Sequence, residues 1–206
     1  MLIGVPKEIK NHEYRVGLAP SSVREVIAHG HDVQVQANAG EGIGATDDDY
    51  RSAGAAVIDD PSHIFSEADM IVKVKEPLEP ERKLLREDQV LFTYLHLAPD
   101  PEQTSDLVES GAVCIAYETV TSPSGGLPLL APMSKVAGRM AIQAGAHCLE
   151  HPHGGRGMLL GGVPGVDPAK VVILGAGMVG THATHIAVGM GADIWVIDRN
   201  PDVLES

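Results

Sequence analysis

A short apolar run that leads directly into three closely spaced glycines constrains this chain more than any other feature. Val171 to Leu174 is apolar and mostly β-branched, as expected of a strand buried on both faces of a parallel sheet, and Gly-Ala-Gly-Met-Val-Gly follows at residues 175–180. Small and apolar side chains then recur at helical spacing up to Gly191, and Ala192 to Ile197 has the pattern of a second strand. This stretch therefore predicts a β-α-β unit.

Each glycine has a physical role in such a unit. Gly175 permits a tight turn, Gly177 lets the backbone approach a pyrophosphate, and Gly180 lets the helix pack on the strand. Asp198 stands at the end of the second strand, where a carboxylate can accept hydrogen bonds from an adenosine ribose. A 2′-phosphate would meet a like charge there, so the pattern predicts NAD as the cofactor. An ordinary glycine-rich turn is the alternative interpretation.

Composition and charge exclude several classes of partner. Acidic residues outnumber basic ones by 28 to 15, so a nucleic-acid backbone would be repelled. The N-terminus lacks a signal-peptide layout, and no apolar run approaches the length needed to cross a bilayer. Cys114 and Cys148 lie in different predicted elements without a C-x-x-C motif, which favours reduced core thiols. We therefore expect a cytoplasmic protein that binds neither nucleic acid nor membrane.

Short strands and helices alternate over the first part of the chain and predict a parallel α/β domain. A Ser-, Gly- and Pro-rich segment at 122–132 marks a boundary, and a helix over Ser134 to Glu150 follows, with apolar residues four apart at Val136, Met140, Ala144 and Cys148. The predicted fold is α/β with two Rossmann-like domains. We expect residues 1–128 to form a catalytic and substrate domain, and residues 129–206 to form a partial NAD-binding domain with its connecting helix.

The second domain is expected to be truncated after its first β-α-β unit. A parallel sheet of two strands would leave backbone edges and apolar faces uncovered. We therefore expect the sequence to be a fragment of a longer protein, and a sharp cooperative thermal transition of the isolated chain would count against that expectation.

Three residues stand where loops leave strands at the expected carboxyl edge of the first domain: Arg15, Lys75 and His96. An arginine can hold a carboxylate through two parallel hydrogen bonds, so Arg15 is a candidate to bind an acidic substrate. A solvated surface cation beside Glu13 is an equally good interpretation of Arg15. Lys75 is placed to bond a carbonyl oxygen. Lys75 would share a strand face with Lys73. The alternative to a ligand-binding role is that both lysines lie on an edge strand and prevent it from pairing with another chain. His96 is a candidate acid or base, or a structural histidine.

Two further clusters have simpler interpretations. The charged residues between Glu79 and Glu87 predict a solvated surface helix. Metal-ligand residue types gather at His147, Cys148, His151 and His153, and His147 and His151 would share a helix face. Because no second cluster of ligands accompanies them, we predict no metal site.

Several segments, in register along essentially the whole chain, resemble the bacterial alanine dehydrogenase family. They are Ile3-Gly4-Val5-Pro6-Lys7-Glu8 with Glu13-Tyr14-Arg15-Val16, Lys73-Val74-Lys75-Glu76-Pro77, Thr93-Tyr94-Leu95-His96-Leu97-Ala98, and Met133-Ser134 followed by Ala137-Gly138-Arg139-Met140-Ala141. This likeness is far more specific than the glycine motif alone.

The resemblance implies an enzyme that interconverts L-alanine, NAD and water with pyruvate, ammonium and NADH. By that resemblance Arg15 and Lys75 would bind the substrate's carboxylate and carbonyl, and His96 would shuttle the proton. On the cofactor side, Met133 would line the nicotinamide pocket, Ser134 would contact the cofactor, and Asp198 would bind the ribose.

The family is commonly a homo-oligomer, a hexamer. Its further catalytic aspartate and remaining cofactor loops would lie beyond Ser206, so the isolated chain is expected to be inactive.

Two other functions remain open at this stage. The NAD(H)-binding module of a proton-translocating transhydrogenase has a similar fold and N-terminal pattern, but a transhydrogenase has no amino acid to deprotonate, so His96 argues against it. A non-catalytic NAD-binding protein is the other alternative. Pyridine-nucleotide exchange with a membrane partner would identify the first, and NADH binding without turnover in a complete chain would identify the second.

Overall fold

The computed structural model describes residues Met1–Glu205, in two compact units that divide the chain after Val120. The first unit contains six strands, numbered in chain order: β1 Leu2–Val5, β2 Asp32–Gln36, β3 Ala56–Ile58, β4 Met70–Val72, β5 Val90–Thr93 and β6 Val113–Ala116. Each neighbouring pair is parallel, and the order across the sheet is β3-β2-β1-β4-β5-β6. The predicted parallel α/β fold is confirmed.

Helices connect these strands: α1 Pro20–Ala28, α2 Asp47–Ala53, α3 Pro61–Glu67, α4 Glu79–Arg82 and α5 Pro101–Ser110. Local sequence explains where they begin and end. Thr46 starts α2 with a capping box, in which its hydroxyl accepts the backbone N–H of Asp49 and the Asp49 carboxylate accepts that of Thr46. Gly111 closes α5 in the left-handed conformation, at φ 69°.

The first unit buries one apolar cluster on each face of its sheet. Ile3, Val5 and Val72 belong to the first cluster, whereas Ile71 and Leu91 belong to the second. Neighbouring residues such as Ile71 and Val72 point to opposite faces because side chains alternate along a strand. Helices therefore cover both faces, as a parallel sheet requires.

Strand β4 lies in the interior of the sheet, between β1 and β5. The interpretation of its lysines as protection for an edge strand is therefore wrong. The strand also ends at Val72, before either lysine, so Lys73 and Lys75 do not share a strand face. The two lysines instead occupy the segment that leaves the carboxyl end of β4.

The second unit contains the predicted β-α-β arrangement. Its elements are α6 Ala131–Cys148, β7 Lys170–Leu174, α7 Met178–Gly189, β8 Asp193–Ile197 and α8 Pro201–Leu204, and β7 pairs in parallel with β8. The domain boundary predicted after residue 128 lies in the segment between β6 and α6 and stays a prediction.

Strand β7 is not buried on both faces, contrary to the expectation from its composition. Ile173 is buried in a cluster with Ile142 of α6 and Ala183 of α7, because both helices pack on the same side of the two strands. The other face exposes apolar side chains, as expected for a sheet of two strands; they are Val172, Leu174, Trp195 and Ile197.

Helix α6 buries a different face from the one that its sequence pattern indicated. Val136, Met140, Ala144 and Cys148 are exposed, whereas Gly138 and Ile142 are buried. A side chain at Gly138 would overlap the carbonyl of Val179, so close approach to α7 selects glycine there. Among the described residues no helix is both long and apolar enough to cross a membrane.

Candidate functional site

Two loops leave the sheet of the first unit at the point where its strand order reverses. From β1 the chain moves outward to β2 and β3, and from β4 it moves outward to β5 and β6. In open parallel sheets, ligands bind in the crevice outside the carboxyl ends of the strands at such a switch point. Arg15 lies in the loop that follows β1, Lys75 in the segment that follows β4, and His96 just after β5. The three predicted residues therefore belong to one edge of the sheet.

Arg15 is held by a carboxylate from its own loop. Its Nε and Nη2 donate to Glu13 at 2.7 Å and 2.5 Å, and its backbone N–H donates to the same carboxylate at 2.9 Å. The Glu13 side chain is 6% exposed and that of Arg15 is 47% exposed. The pair lowers the pKa of Glu13, mainly through the Arg15 hydrogen bond, with the charge of Lys75 adding to it. Arg15 is thus an oriented cation with guanidinium surface left for a ligand.

A pocket of about 350 Å³ adjoins this pair, lined by Lys7, Glu8, Glu13, Tyr14, Arg15, Ala39, Glu41 and Gly42. Glu8, which lines this pocket, also forms hydrogen bonds with the residues that follow β4. One Glu8 oxygen accepts the backbone N–H of Val74 at 2.6 Å and that of Lys75 at 3.3 Å. The Lys75 carbonyl accepts the Thr93 hydroxyl at 2.8 Å. The Lys75 backbone is therefore fixed from the segment that follows β1 and from the last residue of β5.

Lys73 is fully buried beneath this segment and pairs with two carboxylates. Its Nζ lies 3.2 Å from Glu8 Oε2 and 2.6 Å from Glu81 Oε1. Burial raises the pKa of Glu8, while the Lys73 ammonium opposes that rise. The predicted solvated helix over 79–87 is therefore wrong, because Glu81 and Arg82 are buried, and Arg82 donates to Asp106 at 2.6 Å.

Sequence reasoning missed Glu8 and Glu81 as residues of this edge. Glu81 is eight residues from Lys73 in the chain, whereas Glu8 is 65 residues away and reaches Lys73 only because β1 and β4 are neighbours in the sheet. The sequence did contain one indication of these partners. Lys73 directly follows the apolar residues Met70 to Val72, and a lysine buried beside such a strand requires a partner of opposite charge.

His96 is exposed at the exit of β5, and its backbone adopts a left-handed conformation at φ 49°. Its ring lies nearly parallel to that of Tyr94, with centroids 6.0 Å apart. The carboxylate of Glu118 accepts the backbone N–H of His96 at 2.7 Å. An exposed imidazole on a backbone anchored in this way is placed to exchange a proton with a ligand at the sheet edge.

The glycine loop of the second unit has the geometry of a phosphate-binding turn. Gly175 is left-handed at φ 97°, and Gly177 precedes the first turn of α7 with open space where a side chain would be. A side chain at Gly180 would overlap the carbonyl of Gly175 and also approach the Ile173 methyl. Gly180 is thus needed for the loop to fold back on the helix as well as for packing on the strand.

Asp198 closes this loop from the end of β8. Its Oδ2 accepts the backbone N–H of Ala176 at 2.6 Å, and its Oδ1 accepts that of Asn200 at 2.8 Å. The Asn200 and Ala176 hydrogen bonds lower the pKa of Asp198, so the carboxylate stays ionised. Each oxygen retains acceptor capacity for a ribose hydroxyl.

Ser134 and the glycine loop border a common cavity of about 780 Å³, whose lining includes Gly175, Gly177 and Gly180. Ser134 and Met133 lie in the first turn of α6, but among the described residues Met133 is outside that lining. The donors, open backbone and carboxylate of the loop fit the phosphates and ribose of a dinucleotide. The assigned roles of Met133 and Ser134 stay predictions.

One surface cluster has the residue types of a metal site. Its members are His147, Glu150 and His153, all exposed, with the histidine nitrogens 3.5 Å and 3.3 Å from the Glu150 carboxylate. His151, which was expected to share a helix face with His147, lies beyond the end of α6 and bonds the Gly155 carbonyl. Direct histidine–carboxylate contacts account for the arrangement, and both cysteines are free thiols.

Comparison with known proteins gives a consistent result for both units. The family description "Alanine dehydrogenase/PNT, N-terminal domain" matches residues 4–137, and "Alanine dehydrogenase/PNT, C-terminal domain" matches residues 141–206. The alanine dehydrogenase of Halomonas elongata is 57% identical over 206 residues, which are 100% of this chain and 56% of that protein. The chain thus spans about half the length of the curated relatives it matches.

Two solved structures extend the comparison. An L-alanine dehydrogenase is 55% identical with a TM-score of 0.93, covering 100% of this chain and 56% of that one. A transhydrogenase from Sinorhizobium meliloti is 26% identical with a TM-score of 0.81, covering 100% of this chain and 61% of that one. The first of these two structures is the more similar by both measures.

Proposed function

Because this chain belongs to the alanine dehydrogenase/PNT family, we propose that the protein containing it catalyses the reversible oxidative deamination of L-alanine to pyruvate and ammonium with NAD. The observation that carries the proposal is the placement of Arg15, Lys75 and His96 at one edge of one sheet, beside its topological switch point. A carboxylate binder, a carbonyl binder and a proton carrier are the groups that a small 2-amino or 2-oxo acid requires.

Arg15 and Lys75 orient the substrate. The guanidinium binds the substrate carboxylate with the donors that Glu13 leaves available, and the Lys75 ammonium donates to the carbonyl oxygen of pyruvate. Glu8 holds the Lys75 backbone, so the ammonium projects from a fixed point. Two cations at one edge also neutralise the substrate's negative charge.

His96 handles the proton of the reaction. Alanine with a neutral amino group loses hydride from its α-carbon and becomes an iminium. His96 takes the proton released when water attacks that carbon, and the resulting carbinolamine expels ammonia to give pyruvate. In the reverse direction it returns the proton as water leaves. An imidazole suits this exchange because its ordinary pKa lies near neutral pH.

The second unit supplies the cofactor site. When bound, the nicotinamide accepts a hydride. Gly175, Gly177 and Gly180 bring backbone donors to the pyrophosphate, and Asp198 binds the adenosine ribose and disfavours a 2′-phosphate. Met133 lines the nicotinamide pocket, and Ser134 contacts the cofactor. A cytoplasmic location and assembly as a homo-oligomer, a hexamer by the family resemblance, belong to the same proposal.

The test is NADH formation by the complete protein on addition of L-alanine, with glycine, L-serine and L-lysine alongside. We expect NADH formation that is selective for L-alanine, and reductive amination when pyruvate, ammonium and NADH are supplied. A folded, NADH-binding protein that is silent with every amino acid would contradict the proposal. Hydride exchange between pyridine nucleotides would then favour a transhydrogenase, to which the likeness to the Sinorhizobium meliloti structure points.

A further inference from the structure

The backbone that carries His96 is held by one carboxylate from the segment that follows β6. Glu118 Oε1 accepts the N–H of His96 at 2.7 Å and that of Leu95 at 3.1 Å, and Oε2 lies 3.3 Å from the same Leu95 nitrogen. These donors lie beyond the end of β5, so the sheet ladder does not satisfy them. Two successive N–H groups therefore converge on a single side chain.

The conformation held by this contact is one that side chains rarely adopt. His96 has φ 49°, in the left-handed region that favours glycine. Residues in such conformations persist only where the surroundings impose them. The Glu118 contact anchors the peptide N–H at which this left-handed residue begins, so the turn at His96 starts from a fixed point.

Glu118 is itself fixed to the sheet. It lies in the short 3-10 helix Tyr117–Thr119, directly after β6, and β6 is the neighbour of β5. The adjacent Tyr117 packs edge-on against Phe92 at 4.3 Å and against Tyr94 at 4.9 Å between ring centroids. The carboxylate is therefore anchored to the strand that ends just before His96.

We propose that Glu118 is a positioning residue that sets the place of the His96 imidazole by clamping the Leu95–His96 backbone. The inference rests on the proposed function for the role of His96, and Glu118 acts through the backbone without contacting substrate. The required property is the reach of an acceptor oxygen, because Oε1 makes the shorter contact to Leu95 and also the contact to His96. Glutamine preserves that reach without the charge, whereas aspartate preserves the charge and loses one methylene of reach.

The test compares Glu118→Gln, Glu118→Asp and Glu118→Ala in the complete protein. We expect Glu118→Gln to keep kcat within about fivefold of wild type, and Glu118→Asp and Glu118→Ala to lower it about 100-fold, since small displacements of a catalytic group cost that much. KM for L-alanine and the Kd for NADH should change less than about threefold, because Arg15, Lys75 and the glycine loop are untouched.

The matched control is Asp69→Ala. The Asp69 carboxylate accepts the backbone N–H of Leu2 at 2.7 Å, so this variant removes the same type of contact at the first residue of β1, at the opposite edge of the sheet from His96. We expect Asp69→Ala and Glu118→Ala to lower the melting temperature alike, because each loses a carboxylate that accepts a backbone N–H, but Asp69→Ala should leave kcat unchanged. Equal loss of kcat in Asp69→Ala and Glu118→Ala, or an active Glu118→Asp beside an inactive Glu118→Gln, would overturn the proposal.

Hydrogen–deuterium exchange separates this inference from the proposed function. The amides of Leu95 and His96 should exchange at least about tenfold faster in Glu118→Asp than in wild type or Asp69→Ala, because their acceptor is lost. If wild type does not oxidise L-alanine, the function fails and the exchange rates still decide whether the clamp exists. Unchanged exchange overturns the clamp even if the enzyme is active.

Discussion

The ammonium nitrogen of Lys73 lies 2.6 Å from Oε1 of Glu81, and neither side chain is more than 7% exposed. The second carboxylate, Glu8, lies 3.2 Å from the same nitrogen. This cluster joins the segment after β1, the segment after β4 and helix α4. It is the support beneath the edge where Arg15 and Lys75 lie.

Lys73→Met should strongly destabilise the first unit. Removal of the ammonium leaves two buried carboxylates without a counter-charge, which costs about 3–5 kcal/mol of unfolding free energy. Urea denaturation of the complete protein measures the change. Lys83→Met removes a lysine from a surface pair with Glu79 and should change stability little. Similar stability of the two variants would show that Lys73 does not hold this edge together.

Glu13→Gln should destabilise the protein at neutral pH and progressively less in acid. The Arg15 hydrogen bond lowers the folded-state pKa of Glu13 below its ordinary value of 4.5, so its stabilising contribution is present above that value and is lost as pH falls through the folded pKa. The difference in melting temperature between wild type and variant should therefore shrink below pH 4.5. When Arg15 is replaced by Met, the effect of Glu13→Gln on the melting temperature should be small at every pH. If the difference between wild type and Glu13→Gln does not change with pH, the Glu13–Arg15 pair does not contribute to stability in this way.

Two glycines of the loop should respond differently to alanine. Gly180→Ala places a methyl on the Gly175 carbonyl and should lower unfolding free energy by about 1–3 kcal/mol. Gly177→Ala meets no protein atom, so stability should fall by less than about 1 kcal/mol while NADH affinity falls at least about tenfold. Gly189→Ala, on the same helix in open space, is the control for both. Calorimetric titration with NADH measures the affinity. Normal NADH binding by Gly177→Ala would show that Gly177 does not contact the cofactor.

Asp198→Asn should weaken NADH binding about tenfold and reduce the preference for NADH over NADPH. The amide keeps only one acceptor oxygen for the Ala176 and Asn200 N–H groups and the ribose, and it no longer repels a 2′-phosphate. Kd values for the two dinucleotides, measured by quenching of Trp195 fluorescence, test this expectation. An unchanged ratio of the two constants would place ribose recognition elsewhere.

His96→Ala should lower kcat by about 100-fold or more without weakening NADH binding, because general acid–base catalysis commonly contributes that much. The loss should appear in both reaction directions, since the same imidazole takes and returns the proton. Steady-state rates with L-alanine and with pyruvate plus ammonium measure the effect. Normal turnover of the variant would end the acid–base assignment of His96.

The local sequence pattern predicted many of the helices, strands and turns, because interactions between residues close in the chain determine where these elements begin and end. Gly111 and Thr46 mark helix ends through their own backbone and side-chain hydrogen bonds, and the glycines at 175–180 demand a tight turn wherever they occur. Burial faces were less predictable. The exposure of Val136 and Val172 depends on which elements pack against α6 and β7. The spacing of apolar residues within one element does not indicate which other element will cover it.

By itself, the sequence determined the parallel α/β elements, the dinucleotide-type loop with Asp198 at the following strand end, and the motifs that place the chain in its family. The tertiary structure alone decided that β4 is interior, that Lys73 is buried between Glu8 and Glu81, and that Glu118 holds the backbone of His96. The reason is physical: Glu8 and Lys73 are 65 residues apart and Glu118 and His96 are 22 apart, and strand order, which no local pattern encodes, is what makes them neighbours.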